Sequence, residues 1–547
     1  MPMQGLMQDW PLLVHTILDH ASKWHGDREI VSRRVEGDIS RTTYRELDHR
    51  ARALASAAQG RLGLKLGDVV CTMSWNGYRH METWYGLMGL GCVVHTLNPR
   101  LFADQLAYVI NHGEGKWIFL DLTFVPILEG VQDRLPDVKG FVIMSDGANM
   151  PDSTTLKNVI SYEQLIGEGD RAMAWPSFDE NTACGMCYTS GTTGNPKGVL
   201  YSHRSNVLHA MTAGNGDALC MASTDVWMPV VPMFHANAWS LAFSVPMAGA
   251  KMVMPGPRMD GEAIFELLDT EKVTVTAAVP TVWLMLLQYL EQNPHLKLPH
   301  LDRVVIGGAA CPESMMKAFE DKYETQVIHA WGMTEMSPLG SLGTRKAGLE
   351  HLSDDEWWQV KLKQGRPPYT VEMKITDDAG NTLPNDGTTF GRLKVRGPSV
   401  ARSYMKGDGA EVFDDEGWFD TGDVSTLDEH GYMQITDRSK DVIKSGGEWI
   451  SSIDLENAAV GCPGVAEAAA IGMPHPKWDE RPILVIVKKP GADVTREQVL
   501  EHMKHKTAKW SLPDDVVFVD EIPHTATGKI SKLTIREQLK DYVLPTI

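Results

Sequence analysis

The sequence predicts an α/β protein: a large N-terminal domain of mainly parallel sheets with helices, a small antiparallel or barrel-like subdomain, and a small C-terminal α+β domain. Three observations carry this. Strand-like and helix-like segments alternate over most of the length, the pattern shifts to short strands and turn residues from about residue 365, and a charged segment, DRSKD at 437–441, precedes a last small unit. In order, TTYRELDHRARALASAAQ has helical period and leads to the apolar DVVCTM. VTVTAAV passes through Pro280 into the helical TVWLMLLQYL, and RVVIGGAA is followed by Pro312, which opens the helix CPESMMKAFEDKY before the strand QVIHAW. Repeated β-loop-α units imply parallel sheets with right-handed crossovers, whose ligands sit at the carboxyl ends of the strands. EMKITDDAGNTLPNDGTTFGRLKVRG reads as an antiparallel sheet or small barrel. EAAAIG, RPILVIVKK, the helix REQVLEHMKHKTAKW and DDVVFVDEI make the last unit. The expected domains are 1–436 and 442–547, joined by a hinge at 437–441, too short for a disordered linker.

At 547 residues the chain exceeds one compact core. Its 71 acidic and 52 basic residues give a formal charge of -19, which argues against nonspecific nucleic-acid binding. No apolar run approaches the roughly 20 residues that span a bilayer, and the first basic residue is Lys23, so a cytoplasmic location is expected. Cys184 and Cys187 form a CxxC, but residues three apart on a strand face opposite sides and no second CxxC completes a zinc site, so both read as packing residues.

The stretch YTSGTTGNPKG at 188–198 combines hydroxyls, glycines and a lysine. Glycines let the backbone approach closely, so that N–H groups and hydroxyls converge on anionic oxygens while Lys197 adds charge. The preceding ACGMCY reads as a buried strand and the following VLYSHRSNVLHAM as a helix, a setting where phosphates bind. The P-loop pattern fails, because Lys197 is followed by Gly198 and not by a hydroxyl residue. A phosphate cradle and a glycine-rich surface turn both fit the stretch taken alone.

Further motifs stand in series: PMFHANAW at 232–239, GGAACP at 307–312, WGMTE at 331–335, WFDTGD at 418–423, DRSKDVIKSGGEWIS at 437–451 and HTATGKISK at 524–532. With the glycine-rich stretch they resemble, over nearly the whole chain, the adenylate-forming acyl-CoA synthetases, a superfamily that includes luciferases and peptide-synthetase adenylation domains. The resemblance implies stacked sheets, a mobile C-terminal domain, and ATP, magnesium (Mg2+) and CoA as reactants and cofactor. It implies that Thr189, Ser190, Gly191, Thr192, Thr193, Gly194 and Lys197 clamp the triphosphate. Glu335 with Thr189 would hold the magnesium, since a carboxylate next to a triphosphate needs a hard cation between them, and Thr334 would touch the α-phosphate. Gly308, Ala309, His329, Ala330 and Trp331 would wall the adenine slot. Asp423 would take the ribose hydroxyls, with Arg438 donating to the same sugar.

Lys529 taken alone is a surface lysine; the resemblance makes it the catalytic cation between substrate carboxylate and α-phosphate. Lys440 would be the hinge residue and, with His235, a further nucleotide contact. Lys444, Gly446, Gly447 and Trp449 would meet the nucleotide or the pantetheine arm. His235, Trp239, Gly308, Met333 and Pro338 are the acyl-pocket candidates. Peptide-synthetase domains place Asp after the Phe to hold an α-ammonium group, whereas His235 follows Phe234 here, which argues against amino acids. Trp239 resembles the gating tryptophan of fatty-acyl members. The expected substrate is a short- or medium-chain carboxylic acid, as in the short- and medium-chain fatty-acyl-CoA and 3-methylmercaptopropionate-CoA ligases, in a possible homodimer. A luciferase-like oxygenase, an adenylating enzyme feeding a carrier protein and a noncatalytic nucleotide-binding module are the alternatives.

Overall fold

The computed structural model describes residues 2–189, 195–438, 441–445, 448–524 and 530–545. Two large sheets dominate it. The first runs Val159–Ser161, Gly140–Ile143, Gly115–Leu120, Val69–Met73, Val93–Thr96, Ala183–Tyr188, Gly198–Ser202; every neighbouring pair is parallel except the last. The second runs Leu339–Leu342, Gln326–Gly332, Arg303–Ile306, Val275–Ala278, Val226–Pro229, Lys251–Met254, Glu29–Arg33, Ile39–Thr43, parallel inside and antiparallel at both edges.

The sheets are stacked with helices between them. Val70, Phe119 and Val142 of the first share one apolar core with Trp227, Val275 and Ile328 of the second and with the helices Tyr44–Gly60 and Tyr78–Leu90. Tyr78–Leu90 is buried along nearly its whole circumference, as a helix packed on both sides must be. The outer faces are covered by Ala103–His112 on the first sheet and by Gly261–Thr270 and Pro280–Gln292 on the second. No helix among the described residues is long and apolar enough to cross a membrane.

Glu372–Thr376, Gly391–Arg396, Phe419–Leu427 and Met433–Arg438 form an open antiparallel sheet, the first of the two shapes the sequence allowed there. Its Ile375, Leu393 and Phe419 pack on Cys187, Val199 and Tyr201 of the first sheet and Trp331 of the second. The last unit is a five-stranded sheet that includes the long hairpin Val465–His475 and Asp479–Lys488, covered by Ser452–Val460, Arg496–Lys504 and Lys532–Gln538. Around the expected hinge, Ser452 N donates to Asp437 Oδ2 at 2.7 Å and Arg536 pairs with Asp441 at 2.8 Å.

One local expectation fails. VLYSHRSNVLHAM does not begin as a helix: Gly198–Ser202 is a strand that pairs antiparallel with Ala183–Tyr188, and the helix starts at His203. Val199 and Tyr201 are buried while Leu200 is exposed, a period of two that marks a strand with one wet face. Ser202 and Ser205 then form a reciprocal cap that starts the helix. The glycine-rich stretch therefore closes a hairpin and is not followed directly by a helix N-terminus.

Asn76, just beyond Val69–Met73, joins the two large sheets. Its Nδ2 donates to Pro229 O at 2.7 Å and Val231 O at 2.8 Å, and its Oδ1 accepts from Met233 N at 2.7 Å. It thus fixes the chain that enters PMFHANAW. Asn76→Ala leaves three buried backbone groups unpaired, and a loss of about 2–4 kcal/mol is expected, read as a lower urea midpoint of the large unit.

Candidate active site

The neck of the glycine-rich hairpin is closed by Thr189. Its N–H donates to Lys197 O at 3.0 Å, and its Oγ1 accepts from Lys197 N at 3.2 Å. Ser190, Gly191, Thr192, Thr193 and Gly194 lie outside the described residues. The strand that leaves the hairpin reaches the next motif directly, because Tyr201 OH donates to Thr334 O at 2.7 Å. Thr334–Met336 is a single 3-10 turn placed immediately after Gln326–Gly332.

Glu335 is 6% exposed. Its Oε1 accepts from Tyr404 OH at 2.6 Å, and its backbone O accepts from Ala401 N at 2.7 Å. The Tyr404 ring also lies under the Lys197 ammonium, 5.1 Å from Nζ to the centroid. One tyrosine thus brings the hairpin lysine and the motif carboxylate together, and burial with the neighbouring Glu335 charge pushes its phenol well above the usual range.

A second polar chain links the sheets. Trp331 Nε1 donates to Asp423 Oδ2 at 3.1 Å, and Arg438 Nε pairs with Asp423 Oδ1 at 2.8 Å. Asp423 and Arg438 are register partners on adjacent strands, which explains how TGD and DRSKD meet. Asp423 is 2% exposed whereas the Arg438 side chain is 40% exposed, so the carboxylate is anchored from inside and the guanidinium reaches solvent. His329, two residues before Trp331 on the same strand, is fully buried, and burial pushes its imidazole down to about 4, so it is neutral at pH 7.

The third cluster is apolar. Gly307 and Gly308 follow the strand Arg303–Ile306, and Gly308 has φ +79°. A methyl on Gly307 would sit 2.8 Å from Ala330 O and 3.1 Å from Trp239 Cη2, so glycine here lets the indole and the neighbouring strand close in. Ala309 is exposed beside them. Trp239 itself lies in a left-handed turn spanning residues 236–240, a conformation that costs roughly 1–2 kcal/mol per residue with a β-carbon. His235 leads into that turn and is half-buried. Met333 N donates to Pro338 O at 2.9 Å, closing the loop that carries Thr334 and Glu335.

In the last unit Lys444 is exposed and stands opposite Trp449 across a short hairpin. Gly446, Gly447, Lys440 and Lys529 lie outside the described residues. Tyr404, Tyr201, Asn206 and Asn76 were not singled out from the sequence; each acts through a partner far along the chain, and no local pattern marks them. Cys184 and Cys187 face different cores, as their spacing predicts, and burial pushes the Cys184 thiol up to about 12. Among the described residues no three His, Cys, Asp or Glu side chains gather to cage a metal. A single buried carboxylate, Glu335, near a hydroxyl-bearing hairpin suits a small hard cation that takes its other ligands from water and phosphate.

Residues 18–405 match the family model described as AMP-binding enzyme, and residues 454–529 match the AMP-binding enzyme C-terminal domain. The chain belongs to the AMP-binding enzyme family. It is 50% identical to a 3-methylmercaptopropionyl-CoA ligase of Ruegeria lacuscaerulensis over 98% of this chain and 99% of the relative. It is 48% identical to a medium-chain-fatty-acid–CoA ligase of Ectopseudomonas oleovorans over 99% of this chain and 98% of the relative. An anthranilate CoA ligase solved in complex with anthranoyl-AMP shares the fold, with TM-score 0.85 at 24% identity, covering 98% of this chain and 99% of that one.

The tightest point of the site is Gly332, where an added β-carbon would lie 2.1 Å from Pro338 O. Gly332→Ala should displace the loop to Pro338, raising amide exchange in a peptide spanning 332–339 and lowering the thermal midpoint by a few degrees.

Proposed function

We propose that this AMP-binding enzyme is an ATP-dependent acyl-CoA ligase that activates a short- or medium-chain carboxylic acid through an acyl-AMP intermediate. The observation that carries the reading is that one strand and the turn after it, Gln326–Met336, supply both the indole that grips Asp423 and the carboxylate bonded to Tyr404. Sugar-binding and phosphate-binding groups are thereby held at a fixed separation. In the first half-reaction a carboxylate oxygen of the acid forms a bond to the α-phosphorus while the bond to the departing pyrophosphate breaks. In the second, the CoA sulfur bonds to the acyl carbon and AMP leaves.

Asp423 accepts the ribose hydroxyls, its charge oriented by Trp331 and Arg438, and the Lys197 ammonium neutralises phosphate charge beside the hairpin that contains Ser190–Gly194. Glu335, with Thr189, would hold a magnesium ion, which supplies charge neutralisation to the phosphates when bound. Glu335 is kept in place by the Tyr404 hydroxyl. Thr334 is presented by Tyr201. Such a reaction leaves the protein little covalent chemistry, and its rate comes from positioning and charge. Lys529 is the ammonium that stabilises the charge built up during attack on phosphorus. It has no part in thioester formation, for which the unit 442–547 turns about residues 437–441 and brings Lys444 and its neighbours to the acyl-adenylate.

For the acid, Trp239, Gly308, Met333 and Pro338 form an apolar wall, and His235 stands where a partner for an α-ammonium group would be needed. A short aliphatic acid and a thioether acid such as 3-methylmercaptopropionate are nearly isosteric, and both suit that wall.

A panel of carboxylic acids assayed for ATP- and CoA-dependent AMP release tests the class: release with short and medium acids is expected, and release that ignores free CoA would overturn it. Lys529→Ala should slow acyl-AMP formation by about 100-fold or more while thioester synthesis from supplied acyl-AMP stays near its original rate; equal loss of both refutes the assigned role. Trp331→Phe keeps an aromatic ring at the position but loses the bond to Asp423. It should raise the KM for ATP about tenfold, measured by pyrophosphate release.

A further inference from the structure

Residues 236–240 adopt positive φ in succession, 44°, 56°, 50°, 54° and 68°, and none is glycine. A run of this kind persists only where its surroundings hold it, and strain of this sort gathers where a side chain must be aimed. Of the residue types present, only asparagine tolerates the left-handed region well, and that residue is Asn237. The residue is 2% exposed and its Nδ2 donates to Asn206 Oδ1 at 3.3 Å. Asn206, on the helix His203–Gly214, in turn donates from Nδ2 to Cys184 Sγ at 3.2 Å. The turn is therefore tied by a chain of buried hydrogen bonds to the strand Ala183–Tyr188, which leads into the glycine-rich hairpin. Cys187 on the same strand, bonded to Thr96 Oγ1 at 3.1 Å, faces the backbone N–H groups of Asn237 and Ala236. This gives both members of the CxxC a place in one supporting network.

At the other end of the turn the Trp239 indole lies against Gly307 and Gly308, where added methyls would come within 3.1 Å and 3.7 Å of the ring. Ala236 and Ala238 are buried on either side of Asn237. The backbone twist thus decides where the indole sits, and the asparagine pair holds the twist.

We propose that Asn237, through its bond to Asn206, is a positioning residue for acid selection: it holds the left-handed turn 236–240 so that Trp239 caps the acyl pocket against Gly307 and Gly308. This rests on the reading that Trp239 lines that pocket. When the bond is lost the turn relaxes toward right-handed backbone, the indole leaves the glycines, and the pocket deepens. Longer acids then gain relative to shorter ones, while ATP binding, held by a separate set of bonds, stays as it was.

The test uses the full chain and straight-chain carboxylic acids of increasing length, with pyrophosphate release giving kcat and KM for each acid and for ATP. Asn237→Ala, Asn206→Ala, the double variant and Trp239→Ala are compared with the parent. In each single asparagine variant the ratio of kcat/KM for a longer to a shorter acid should rise by roughly fivefold or more, with the KM for ATP within about twofold of the parent. The double variant should shift the ratio no further than one single variant does, since both remove the same bond. If Asn237→Ala does not fold, Asn206→Ala decides alone, because it leaves the turn's own residues intact. An unchanged ratio in the asparagine variants beside a shifted one in Trp239→Ala overturns the proposal and leaves the pocket reading standing. An unchanged ratio in Trp239→Ala removes the pocket reading and the proposal with it. A uniform loss with every acid, accompanied by a raised KM for ATP, means a general structural role and overturns the proposal.

Discussion

The site depends most on one buried carboxylate. Asp423 belongs to the open antiparallel sheet, its indole partner Trp331 to the second large sheet, and its guanidinium partner Arg438 to the strand that runs into the expected hinge. A carboxylate at 2% exposure is costly unless its oxygens are paired, and here each oxygen has its own donor. Because the donors come from two sheets, satisfying the charge also fixes how the sheets lie on one another. That fixed relation carries Tyr404, which lies between Gly391–Arg396 and Phe419–Leu427 in sequence, to the Glu335 carboxylate on the other side of the junction. Removing the charge pairing would therefore disturb groups that never touch Asp423.

Much of this was legible in the sequence because it is periodic or local. Alternating apolar strands and amphipathic helices specify parallel layers, and DVVCTM, VTVTAAV, RVVIGGAA and QVIHAW all became strands of the two stacked sheets. The spacing of Cys184 and Cys187 gave their opposite facing directly. The motif WGMTE placed Trp331, Thr334 and Glu335 within one strand and turn, so their proximity needed no tertiary information.

What escaped was either ambiguous in period or long in range. Val199–Tyr201 is apolar enough to continue into the following helix, and only tertiary burial of alternate residues, together with the Ser202–Ser205 cap, separates the two elements. Tyr404 stands in a stretch with turn residues and no marked pattern, and its importance lies wholly in Glu335 and Lys197, distant in sequence. Asn76 and Asn206 look like ordinary polar residues until their partners at 229–233 and at Cys184 and Asn237 are known. The left-handed turn could not be read at all, since Ala, Trp and Ser carry no signal for positive φ.

The groups we assign to the nucleotide and those we assign to the acid are held by different physics, and this separates their tolerance to change. Around Asp423 and Glu335 the constraint is polar: each buried oxygen needs a donor at hydrogen-bond distance, and no apolar substitute can supply one. Around Trp239 the constraint is steric and conformational: a strained backbone aims an indole at two glycines, and any side chain that changes the twist or fills the glycine gap changes the shape of the wall. Changes of the second kind alter volume without unpairing a charge. Under the proposed roles, altering one turn and its asparagine support changes the acid admitted while the groups assigned to the nucleotide stay as they are. The two parts also meet along the strand Ala183–Tyr188, which carries the hairpin at one end and receives the bond from Asn206 along its length. That strand, like the contact of Gly307 with Ala330, is a place where a change made for one part is felt by the other.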